Sequence, residues 1–152
     1  MFGALATGKT TITGLLEAED VLNTAKAVTA LGAIATKAGD TWTVLGRGTG
    51  GLKQPDAPID FGNSGTGVRL MLGVIAGHSL TARLVGDASL SRRPMGRVLK
   101  PLERMGLEVL DRGKDTLPLA VRGSADLIPI EYQLPVASAQ IKSAVLIAGL
   151  NA

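Results

Sequence analysis

With 152 residues, 45% of them hydrophobic, the chain is long enough to bury the core of one domain. Aromatics are only 3% and glycines number 20, so that core must be aliphatic, with backbones in close approach. The net charge of +3 comes without a Lys/Arg block, which argues against nucleic acid and suits a small anion; the absence of cysteine excludes disulfides, thiolate metal sites and a cysteine nucleophile.

Gly3, Gly8, Lys9 and Thr10 spell the phosphate-cradling pattern G-x-x-x-x-G-K-T. That loop needs a buried strand before it and a helix after it. Only Met1 and Phe2 precede Gly3, and the β-branched run Thr10-Thr11-Ile12-Thr13 predicts a strand, so the match is expected to be accidental. The same residues carry no charged leader of a signal peptide. Next, Val21, Leu22, Ala25, Val28 and Leu31 form an apolar stripe, with Asp20 expected as the cap and Gly32 as the stop. Glu17, Glu19 and Asp20 belong to that helix start as ordinary dipole partners. Residues 33–36 and 41–44 predict a hairpin about Lys37-Ala38-Gly39-Asp40, with Trp42 and Val44 facing the helix.

A Gly- and Pro-rich connection over residues 46–58 leads to a polar corner, Asp60-Phe61-Gly62-Asn63-Ser64-Gly65-Thr66. Asp60-Phe61-Gly62 also spells a kinase triplet, but no kinase glycine loop or catalytic loop accompanies it. An apolar helix follows, expected to stop at a C′ glycine, Gly77. Asn63, Ser64 and Thr66 are good N-caps, and Gly65 leaves the backbone bare, so free N–H groups and the helix dipole point at one place. Such a corner attracts phosphate or carboxylate. His78, just past Gly77, is expected on the surface and cannot by itself build a histidine metal cluster. The uncharged apolar stretch over residues 70–82 falls short of the about 20 residues that span a bilayer. The chain is therefore expected to be cytoplasmic, with neither membrane nor nucleic acid as partner.

A strand at residues 80–86, a loop to Arg93, a helix from Pro94 to Met105 closed by Gly106, and a hairpin at residues 107–110 and 117–121 complete a repeated plan. Val28, Leu31-Gly32 and Gly39 recur 74 residues later as Leu102, Met105-Gly106 and Gly113, and Ser64-Gly65-Thr66 recurs as Ser138-Ala139-Gln140. With Pro94 at the first helical position, Arg93 falls at the N-cap, where a long cation is a poor choice. Sequences break such rules at functional sites, and a guanidinium there would give a bidentate anion donor.

Three separated motifs, Gly62-Asn63-Ser64-Gly65-Thr66-Gly67-Val68-Arg69, Gly86-Asp87-Ala88-Ser89-Leu90-Ser91-Arg92-Arg93-Pro94-Met95-Gly96 and Ala137-Ser138-Ala139-Gln140-Ile141-Lys142-Ser143-Ala144, together resemble the 5-enolpyruvylshikimate-3-phosphate (EPSP) synthases of the class II bacterial type known for glyphosate tolerance. The resemblance covers the whole chain. It implies an α/β fold of repeated βαβαββ units, the inside-out α/β barrel of the enolpyruvyl transferases. Residues 1–152 would form an incomplete first domain of about two units, without the family's N-terminal strand and its Lys-Ser…Arg motif, and without the second domain. The implied activity is transfer of enolpyruvyl from phosphoenolpyruvate to shikimate 3-phosphate in aromatic amino-acid biosynthesis, with no metal or organic cofactor. By motif, Gly65 and Arg93 would bind phosphoenolpyruvate or glyphosate, and Ser138, Ala139 and Gln140 would hold shikimate 3-phosphate, Gln140 also meeting phosphoenolpyruvate. No catalytic acid or base is expected here, so the isolated chain should lack turnover until the missing C-terminal domain partners it. Tolerant class II enzymes carry alanine where this chain has Gly65. The alternatives are a UDP-N-acetylglucosamine enolpyruvyl transferase, which generally uses a cysteine, and a non-catalytic anion-binding domain.

Overall fold

The computed structural model describes all residues, 1–152. The β-branched run folds as β1 (Thr7–Thr13), preceded by one helical turn, α1 (Phe2–Leu5), that the sequence pattern did not indicate. Then come α2 (Glu19–Ala30), β2 (Ile34–Ala38) and β3 (Thr41–Arg47), with β3 central and antiparallel to both other strands. Ala35, Trp42 and Val44 line a groove with Val21, Ala25 and Val28 of α2, as the alternation with threonine requires. Asp20 is not the cap of α2. The extended residue Ala18 is, because its carbonyl already accepts from Val21 and Leu22; Asp20 sits in the first turn and accepts from Val21 N–H at 2.9 Å.

The second half holds β4 (Ile59–Asp60), α3 (Gly65–Ala76), β5 (Thr81–Val85), α4 (Gly96–Met105), β6 (Glu108–Val109) and β7 (Leu119–Arg122). Its strand order is β4-β5-β7-β6, with β4 parallel to β5 and the other pairs antiparallel. This is a complete βαβαββ unit. Within this unit β4, two residues between the glycine-rich connection and the polar corner, escaped the sequence pattern.

The repeat is visible in individual hydrogen bonds. Ala33 N–H to Val28 O recurs as Leu107 N–H to Leu102 O, closing helices at Gly32 (φ +93°) and Gly106 (φ +121°), where a left-handed backbone favours glycine. Gly48 N–H to Ala6 O recurs as Gly123 N–H to Leu80 O, one residue of insertion included. Strands β1-β3-β2 accordingly match β5-β7-β6.

α5 (Ala139–Ala148) stands where α3 stands in the preceding unit and packs along it. The crossing is close: a Cβ on Gly73 would run into the Ala144 carbonyl. Val68, Met71, Leu72 and Ile75 of α3 are fully buried in the middle of the core. Two expectations at the end of α3 are corrected. Gly77 is not a left-handed stop, since its φ is −86°; its lack of a side chain serves close approach of Asn151. His78 is not on the surface but 1% exposed. Its Nδ1 lies 2.7 Å from Val74 O and its Nε2 accepts from Gly50 N–H at 3.1 Å, so the imidazole fastens the glycine-rich connection to α3.

Candidate anion-binding site at two helix starts

The glycine corner is held from below. Gly62 N–H donates to Asp60 Oδ1 at 2.8 Å, and the buried amide of Asn23, from α2, donates to Phe61 O at 3.1 Å. Ser64 is the residue that caps α3, accepting from Gly67 N–H at 3.1 Å. Its carbonyl takes Val68 N–H, leaving the N–H of exposed Thr66 without an acceptor.

Arg93 is not an N-cap. It ends a single 3₁₀ turn, Leu90–Arg92, and α4 begins at Gly96 with Met95 at its cap. Met95 is fully buried and gives its N–H to Asp115 O at 2.6 Å, which delays the helix by two residues. Arg93 still arrives where a cation was expected: its Nη1 lies 2.9 Å from the place a Cβ on Gly65 would occupy, and its Nη2 donates to Asn63 Oδ1 at 2.9 Å.

A second arginine meets it there. Arg69, one turn along α3 from Gly65, donates to Gly65 O at 3.1 Å, to Gln140 Oε1 at 3.2 Å and to Pro94 O at 3.1 Å. Its Nη1 lies 3.1 Å from the same Cβ position. Partial burial first, and the charge of Arg93 second, lower its pKa. The chain's ion pairs are Lys37–Glu17 and Arg122–Glu108, so neither arginine is neutralised by a carboxylate within 4.0 Å. Two cations and a helix start therefore share a small space floored by a glycine.

The second corner borders the first. Ser138 caps α5, its Oγ accepting from Ile141 N–H at 3.4 Å, and Ala139 is exposed at the helix start. Gln140 donates from Nε2 to Thr66 Oγ1 at 2.8 Å. Gly65 and Gln140 are thus linked through Arg69, whose third bond goes to the carbonyl of Pro94 next to Arg93, and Ser138 and Ala139 directly precede Gln140 in the chain. The P-loop pattern plays no part: Gly8, Lys9 and Thr10 lie in β1, paired with Gly46, Leu45 and Val44 of β3.

The EPSP synthase (3-phosphoshikimate 1-carboxyvinyltransferase) family model matches residues 1–152. The chain belongs to the EPSP synthase family. A 3-phosphoshikimate 1-carboxyvinyltransferase of Parvibaculum lavamentivorans is 60% identical over 100% of this chain and 34% of its own length. One from Brucella canis is 56% identical over 99% of this chain and 34% of its own. Among solved structures, an EPSP synthase from Acinetobacter baumannii superposes with a TM-score of 0.93 at 43% identity, over 99% of this chain and 34% of that one. The chain thus spans about a third of the length of the EPSP synthases it matches, and the βαβαββ units described above are those of an enolpyruvyl transferase.

The residue missed by the sequence pattern is Arg69; Asn63, read there as a candidate cap, instead bonds Asp87 and Arg93. Arg69 had a usable cue, since i and i+4 share a helix face, which sets it over Gly65.

Proposed function

We propose that residues 1–152 supply part of the ligand-binding face of a 3-phosphoshikimate 1-carboxyvinyltransferase, as an incomplete first domain that the rest of the enzyme completes. The observation that carries this reading is the convergence of Arg69 and Arg93 over Gly65 without a carboxylate partner. Two like charges held together favour an anion between them. Phosphoenolpyruvate offers a carboxylate and a phosphate, both matched to a guanidinium fork. Gly65 lets the ligand approach the backbone, Arg93 pairs with its charge, and the open N–H of Thr66 at the start of α3 completes the cradle. Ser138, Ala139 and Gln140, at the start of α5, hold shikimate 3-phosphate, and the Gln140 amide faces both ligands. The reaction moves the enolpyruvyl group to the 5-hydroxyl and releases phosphate, with no metal or organic cofactor; its acid and base come from the remainder of the enzyme.

No helix of the chain is long and apolar enough to cross a membrane, and the compartment of this chemistry is the cytoplasm. The test has two arms. In the first, the chain alone is titrated with phosphoenolpyruvate and shikimate 3-phosphate while backbone amide signals are followed; saturable shifts at Gly65, Thr66 and Gln140 are expected. In the second, phosphate release is assayed for the chain alone, expected at background, and after mixing with a polypeptide carrying the remaining two thirds of a relative, expected to appear. Turnover by the chain alone, or ligand shifts elsewhere on the surface, would overturn the reading.

A further inference from the structure

One carboxylate, Asp87, feels the charge of Arg93 without forming an ion pair with it. Asp87 follows β5 and uses every polar atom it has. Its N–H donates to Gly62 O at 2.9 Å, and its carbonyl accepts from Ser91 N–H at 2.9 Å. Its Oδ1 accepts from Leu90 N–H at 2.7 Å, capping the turn that ends on Arg93. Its Oδ2 accepts from Asn63 Nδ2 at 2.8 Å. One side chain thereby ties the arginine loop to the glycine corner.

Asn63 transmits direction. A carboxylate can only accept and a guanidinium can only donate, so a single orientation of the Asn63 amide satisfies both neighbours. Nδ2 faces Asp87, and Oδ1 is left for Arg93 Nη2, with Ser89 Oγ a more distant second acceptor at 3.5 Å. The Asn63 bond first, then the Leu90 amide, with the charge of Arg93 contributing, keeps the Asp87 carboxyl below the usual carboxylate range. It stays ionised, and so remains a pure acceptor.

We infer that Asp87 is a positioning residue: through Asn63 it aims the Arg93 guanidinium at the space above Gly65. The effect on ligand affinity rests on the anion-binding reading of that space, whereas the effect on Arg93 does not. Asp87→Asn is the discriminating variant. Its amide oxygen still caps Leu90, but its NH2 meets the NH2 of Asn63, which must turn over and present a donor to Arg93. Asn63→Ala breaks the same link without touching the capped turn.

Two measurements test this on the full chain. In the ligand-free protein, the side-chain nitrogen signals of Arg93, assigned by their loss in Arg93→Lys, are expected to shift from restricted to freely rotating in both variants, with the backbone spectrum retained. In titrations with phosphoenolpyruvate, Asp87→Asn should weaken binding about tenfold, the order expected when an aimed charge-assisted bond is lost. The same change in an Arg93→Ala background should add nothing. Unaltered Arg93 signals, or an equal loss of affinity in both backgrounds, would overturn the inference. A wild-type chain that gives no saturable response to phosphoenolpyruvate, while its Arg93 signals still depend on Asp87, would support the positioning role and sink the assigned ligand instead.

Discussion

Gly65→Ala separates a glycine that merely starts a helix from one that floors a binding site. The added methyl would lie 2.9 Å from Arg93 Nη1 and 3.1 Å from Arg69 Nη1. Ordinary contact requires retreats of about 0.5 Å and 0.3 Å. Both atoms are far ends of flexible side chains, so the fold should survive. The cost falls on the aim of the guanidinium groups. Losing a charge-assisted bond outright costs about 1.5 to 3 kcal/mol. A half-ångström displacement forfeits only part of this, about 1 kcal/mol, or roughly fivefold in affinity for phosphoenolpyruvate. Glyphosate is the longer molecule and also meets the methyl itself, and a steric clash discriminates by what it excludes. Its affinity should therefore fall by at least about tenfold more. The assay is a pair of titrations on the chain, backed by inhibition and saturation curves after reconstitution with the remaining two thirds. Equal weakening for both anions, or none for either, would refute the reasoning and leave Gly65 as a helix start only.

Arg93→Ala should weaken phosphoenolpyruvate and glyphosate alike, by about ten- to a hundredfold, because it removes a contact that they share; selective loss of one would count against a common charge site. Gly73→Ala drives a methyl into the Ala144 backbone carbonyl and should cost about 1 to 3 kcal/mol or more in urea unfolding by prising α5 from α3; an unchanged midpoint would mean that the helices can slide apart freely. His78 has its pKa lowered by burial, partly opposed by its bond to Val74 O, so the unfolded chain takes up the proton first. Stability should be full above about pH 6.5 and fall below it until the folded-state pKa is passed, and His78→Gln should flatten urea-unfolding stability over that window; an unflattened slope would place the titration elsewhere. Lys9→Ala should leave the fold and reconstituted activity unchanged, and ATP binding that disappears with it would reinstate the P-loop.

Legibility of the sequence tracked the range of the interaction. The stops Gly32 and Gly106 depend on neighbours within about six residues and stand where the pattern puts them, and of the three candidate caps Asn63, Ser64 and Thr66 the chain uses Ser64. Arg93 was singled out at the N-cap and stands two residues before it, because a bond from Met95 to Asp115, twenty residues on, sets where α4 begins. His78 looked exposed because the partner of its Nε2, the N–H of Gly50, lies 28 residues back in the preceding connection. Arg69 was overlooked for the same kind of reason: one of its acceptors, Gln140, is 71 residues away. β4 is two residues long and owes its existence to a parallel partner beyond α3.

The repeat accounts for the juxtaposition of the two corners, and its imperfection accounts for their difference. A shift of 74 carries Thr66 onto Gln140, and these two equivalent residues are the ones hydrogen-bonded across the site, at 2.8 Å. The same shift carries Gly65 onto Ala139 and Arg69 onto Ser143. The capped helix start is therefore present in both units, while the bare backbone and the cation are present in one. Arg69 bonds Pro94 O within its own unit and reaches across the boundary to Gln140, so the charged corner also orients the Gln140 amide of the uncharged one. Two identical corners would select two copies of the same anion. On the proposed reading, corners that differ by a glycine and an arginine would hold one compact, highly charged ligand against a larger hydroxylated one, as a transfer between two unlike phosphate esters requires.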